Sequence, residues 1–106
     1  DTTVATTAFV QANGGFGVSQ TWTDVTSSRS ASTTYTNSTG KPIQVVIQGS
    51  QGSTGTQYLT INGNLFTVQT TVGGGASTTY GIIPNGSTYS WTANNGGAVA
   101  TWYELR

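Results

Sequence analysis

Leu59-Thr60-Ile61-Asn62-Gly63-Asn64-Leu65-Phe66-Thr67-Val68 reads as a β-hairpin from its turn and from its flanks. Asn-Gly supplies the two positive φ angles of a type I′ turn, whose twist matches that of the strands it joins. In the two-residue register Ile61 faces Asn64 and Leu59 faces Phe66. Leu59, Ile61, Phe66 and Val68 then share a core side, and Tyr58 and Leu65 share the opposite one. Turn chemistry and hydrophobic pattern agree without either being used to infer the other.

The same reading extends outward in both directions. Ile43, Val45 and Ile47 alternate with Gln44, Val46 and Gln48; Tyr89, Trp91 and Ala93 alternate with Thr88, Ser90 and Thr92. The last strand sends Val99, Thr101, Tyr103 and Leu105 one way and Trp102 and Glu104 the other. Pro84-Asn85-Gly86 and Asn94-Asn95-Gly96-Gly97 mark turns, and Gly49–Thr56 and Gly73–Ser77 read as loops by composition. Strands are expected near 18–26, 32–37, 43–49, 57–62, 65–72, 78–83, 88–93 and 98–105. Eight short strands at such spacing predict an all-β fold, a small antiparallel β-sandwich or jelly-roll-like domain.

Residues 1–16 stand apart. Val4, Ala8, Phe9 and Ala12 recur near helical spacing, and Asn13-Gly14-Gly15 ends the run. So short a helix is unstable alone in water. The segment reads either as a helix completed by partners or as a frayed tail. The chain begins without Met or a leader pattern, which suggests a fragment or a processed product.

Composition narrows the function. Charged residues are 6% of the chain, there is no His or Cys, and the formal net charge is zero. This argues against a basic surface for nucleic acid or for anionic lipid, and no apolar run is long enough for a membrane-spanning helix. The usual zinc and transition-metal sites need His or Cys, so no metal or other cofactor is expected. Gly73-Gly74-Gly75 lacks the Lys and helix of a phosphate loop. A glycosidase would have to pair Asp24 with Glu104. The favoured reading spends them structurally, with Asp24 paired to Arg29 across a turn and Glu104 paired to Lys41 or Arg29. What remains is Thr, Ser, Gly, Asn and Gln mixed with eleven aromatic residues, a composition suited to recognition rather than transformation. Tryptophans in a thin core are more often interior than exposed. The candidate binding residues are Tyr58, Leu65, Tyr80, Asn94, Asn95 and Trp91.

Three stretches carry a resemblance. They are Asp1-Thr2-Thr3-Val4-Ala5-Thr6-Thr7-Ala8-Phe9-Val10-Gln11; Trp22–Arg29 followed by Thr34–Ile43; and the ending Trp102-Tyr103-Glu104-Leu105-Arg106. In this order they resemble the C-terminal, distal domain of bacteriophage tail fibre proteins. The resemblance implies a homotrimer at the distal end of the virion's fibre, with residues 1–16 as shaft end or trimerising connector through Val4, Ala8 and Phe9. Residues 17–106 would be a receptor-binding tip that attaches to a bacterial surface glycan, such as lipopolysaccharide, or to an outer-membrane receptor without cleaving it. A structural cap that registers the trimer, with specificity elsewhere, is the alternative. The family pattern is weakest between Gly49 and Gly97.

Overall fold

In the computed structural model, residues 15–106 are described. The order is β1 (Trp22–Asp24), a one-turn 3-10 helix (Thr26–Ser28), β2 (Tyr35–Thr36), β3 (Ile43–Gln51), β4 (Gly55–Ile61), β5 (Asn64–Thr71), β6 (Gly75–Ile83), β7 (Thr88–Ala93) and β8 (Ala98–Leu105). They form two four-stranded antiparallel sheets, ordered β1-β8-β3-β6 and β2-β7-β4-β5. Each expected strand has its counterpart, and the all-β sandwich is as expected. The helical segment and the contacts expected from Val4, Ala8 and Phe9 lie outside the described residues.

Strict alternation builds the core. Ile43, Val45 and Ile47 from one sheet meet Leu59, Ile61, Tyr89 and Trp91 from the other, with Trp102, Ile83 and Val25 completing the cluster. Burying such side chains is worth about 1.5–3 kcal/mol each, so this set supplies the main drive to fold. It is small, and polar groups extend it. Gln51, Gln57, Thr79, Asn37 and Glu104 are also buried. Asn37 is fully engaged: its Nδ2 donates to the Lys41 and Ile83 carbonyls (2.7 and 2.9 Å), and its Oδ1 accepts from Thr39.

The Asn62-Gly63 turn forms as expected, with φ of 50° and 80°. Its flanks differ from the simple register. Ile61 does face Asn64, but Thr60 faces Leu65 and Leu59 faces Thr67, leaving Phe66 as an extra residue. This β-bulge switches the parity of everything after it. Phe66 is therefore 57% exposed and Val68 joins Tyr58 on the outer face, instead of both entering the core. The Phe66 ring lies over Gly81 of β6, where an added Cβ would sit 3.0 Å from it.

Both stretches read as loops prove largely extended. β3 continues to Gln51 and β4 begins at Gly55, while β6 begins at Gly75. Gly49 and Gly55 are in strands because large amides lie against them. A Cβ on Gly49 would fall 2.4 Å from Gln57 Oε1, and one on Gly55 2.5 Å from Gln51 Oε1. Glycine here accommodates close approach rather than a turn. Conversely, β1 and β2 are shorter than expected, flanked by Ser19 and Ser32 at positive φ.

Gly97 is the least forgiving of these positions, since a Cβ there would sit 2.6 Å from the fixed Cβ of Ala93 as well as 2.5 Å from Gln51 Nε2. Gly97→Ala should therefore cost about 1–3 kcal/mol in a denaturant titration. Gly96→Asn, at an open positive-φ site, serves as the mild control.

Candidate functional site

Glu104 points inward from β8 and is fully buried. A carboxylate there needs donors on every side. Its Oε2 accepts from Arg29 Nε (3.1 Å), Tyr89 Oη (2.8 Å) and Trp102 Nε1 (3.1 Å); its Oε1 accepts from Arg29 Nη2 (3.0 Å) and Arg106 Nη1 (2.8 Å). The Arg29 guanidinium also lies 4.8 Å from the Tyr35 ring centroid, a cation–π placement. Burial pushes the Glu104 carboxyl up, but the Arg29 and Tyr89 hydrogen bonds and the Arg29 and Arg106 charges outweigh it and hold it below its ordinary range.

The expected Asp24–Arg29 pair is thus corrected: Arg29 is taken by Glu104. Asp24 instead turns back on its own chain, its Oδ1 accepting from Thr26 N (3.0 Å) and Oγ1 (2.6 Å). The Thr26 hydroxyl, then its amide, lower the Asp24 carboxyl. Asp24 faces Tyr103 in the register, on the outer side of the sheet, whereas Glu104 lies in the interior. The two carboxylates occupy opposite faces and do not flank a common cleft, as a glycosidase pair would.

The six candidate binding residues are not brought together. Trp91 is fully buried between the sheets, which removes it from any surface. Its alternation with Thr92 and Ser90 signals this position. Tyr58 and Leu65 lie on the outer face of the β2-β7-β4-β5 sheet, while Tyr80 lies on the outer face of the other. Asn94 and Asn95 sit in the β7–β8 turn.

That turn belongs to a cluster at one end of the sandwich. Three connections meet there: Gly52–Thr54, Val72–Gly74 and Asn94–Gly97. Thr54 joins them, its hydroxyl accepting from Gly73 N (2.8 Å) and its carbonyl accepting from Asn95 Nδ2 (2.8 Å). Asn94 Oδ1 accepts from Thr56 N (2.7 Å). Val72 stands 81% exposed beside Gly52, Ser53 and Gly96, which are exposed too. The result is a braced rim of neutral amides, hydroxyls and backbone with no ionisable side chain. Position in sequence suggested Asn94 and Asn95; that Thr54 links them to two other loops was not legible.

The chain enters at the opposite end, where Gln20 Nε2 donates to the Pro42 carbonyl (2.8 Å). On the adjoining outer sheet face, Trp22, Val46 and Tyr103 line a shallow open groove of about 240 Å³. Register places Ile82, Gln44 and Leu105 in the row of Trp22, and Tyr80 in the row of Tyr103 and Val46. The β8 alternation signals Tyr103, opposite in sense to Trp102.

Comparison with known protein families, curated proteins and solved structures finds no significant match for this chain.

Glu104→Gln should cost about 3 kcal/mol, because it leaves Arg29 and Arg106 without their counter-charge; calorimetry alongside Asp24→Asn, expected to be mild, checks this. A second expectation concerns alkali. Burial, then the Glu104 hydrogen bond and charge, pushes the Tyr89 hydroxyl from its ordinary 10.0 up to about 12. The unfolded chain then loses this proton first, so stability is intact below pH 10 and falls between pH 10 and about 12. Urea midpoints of the parent should decline across that window more steeply than those of Tyr89→Phe. On the acid side the depressed Glu104 carboxyl gives the reverse sign, with stability lost as pH falls below its ordinary 4.5.

Proposed function

We propose that this domain is the receptor-binding tip of a bacteriophage tail fibre, working as a homotrimer and holding host surface carbohydrate without cleaving it. The observation that carries the reading is the rim of Gly52–Thr54, Val72–Gly74 and Asn94–Gly97, at the end away from chain entry. A tip at the end of a fibre meets its target with the end remote from its attachment. Here that end is uncharged and rich in groups that both donate and accept, which suits the hydroxyls of a neutral glycan. The rim also falls within the stretch where the family pattern is weakest, the place where a recognition surface has freedom to differ.

Two further points support it. The later blocks of the resemblance form one unit, since β1 pairs with β8 and Arg29 binds Glu104. Glu104 has all its acceptor capacity committed inside the protein, which suits an adhesive role over a hydrolytic one. Several weak sites per particle give firm attachment through avidity.

A labelled 1–106 chain should stain susceptible bacteria and compete with infection. Ser53→Arg and Val72→Glu, both on exposed loop positions, should lower staining more than about tenfold with an unchanged unfolding midpoint. Full staining by both variants would move the contact elsewhere. Staining by none, parent included, would leave a structural cap, and sugar fragments released from cells would indicate a depolymerase.

A further inference from the structure

We propose that the outer face of the β1-β8-β3-β6 sheet is a subunit interface, the seat of a second copy of this chain. Its centre is the groove of Trp22, Val46 and Tyr103, continued by Tyr80 and Ile82 across the sheet. Trp22 is 51% and Tyr80 55% exposed. Sheet faces turned to water ordinarily alternate to polar residues, and exposed apolar patches of this kind mark interaction surfaces. The aromatic enrichment is that of an interface centre.

Three observations select a copy of the chain over a sugar or an unrelated protein. Trp22, Leu105, Ile82, Tyr103, Val46 and Tyr80 fill two adjoining rows interrupted by Gln44, and the polar row of Thr101, Gln48 and Thr78 follows beside them, the apolar centre and polar border of a subunit contact. Charge is the second. Asp24, on the edge strand and turned onto Thr26, is its one charged side chain, so the centre of the face meets an identical centre with no charge to desolvate. The third is position. Fourteen residues precede Gly15, among them Val4, Ala8, Phe9 and Val10, and the chain leads from there into Gln20, which bonds to Pro42 beside this face. Copies joined through that segment would bring these faces together and leave the loop rim outward.

The inference rests on the oligomeric reading above and names the surface it uses. Its test is the molar mass of the full 106-residue chain by analytical ultracentrifugation. The parent should sediment as a multiple of 10.9 kDa. Val46→Lys and Tyr103→Lys should shift it to the monomer, with a dissociation constant raised at least about 100-fold. Leu65→Lys, equally apolar but on the other sheet's outer face, should leave it assembled. Circular dichroism confirms that each variant folds. Trp22 gives an independent readout, because Trp91 and Trp102 are buried: acrylamide should quench the assembled parent less than the monomer. A monomeric parent, assembly that survives Val46→Lys, or dissociation by Leu65→Lys would overturn it. Cell staining separates the two readings. A surviving oligomer in Val46→Lys with staining intact removes this interface alone, whereas an oligomer that dissociates as expected but never stains removes attachment alone.

Discussion

A single buried carboxylate sets the geometry of half this domain. Glu104 can be inside only because five donors converge on it, and they come from β7, from β8, from Arg106 just after it and from Arg29 beyond the 3-10 helix. Meeting all five fixes how one sheet sits on the other at that end. The aromatic set around it follows: Tyr35 packs edge-on to Trp102 at 5.8 Å and lies 5.9 Å from Tyr89. A hydrophobic replacement could match the stability, but not this directional definition. Of the chain's six acidic and basic side chains, three are gathered in one place.

The other half is organised differently. There the sheets close over Gln51 and Gln57, whose amides lie against Gly49, Gly55 and Gly97. The loop rim rests directly on this amide layer. One end of the sandwich is thus specified by charge, the other by the close approach of backbone and amide, with apolar residues between. The charged end is built from Arg29, Tyr89, Trp102, Glu104 and Arg106, and the rim from residues 52–54, 72–74 and 94–97.

Much of the fold could be read from the chain because period-2 alternation is a local property. Ile43–Ile47, Tyr89–Ala93 and Trp102–Glu104 report their faces directly, and Asn62-Gly63 reports its turn. What failed were features decided by distant partners. Phe66 looks like a core residue until a bulge shifts it, and nothing near it in sequence announces the bulge. Gly49 and Gly55 look like loop residues unless the glutamines opposite are known. Asp24 and Arg29 are neighbours in sequence, yet Arg29 reaches across to Glu104, 75 positions away. The rim was legible only as polar loops. Its unity depends on Thr54, whose two bonds join segments 19 and 41 residues distant.

The pairing of β1 with β8 has a consequence for biosynthesis. The first described strand can dock only after the last has been made, because Trp22–Asp24 find their backbone partners in Tyr103–Leu105. The sheet therefore stays open until β8 has been synthesised. A chain cut before Trp102 would lose the β1 ladder and the carboxylate together, and so would be left for proteolysis. Synthesis of β8 is in this way a checkpoint on folding.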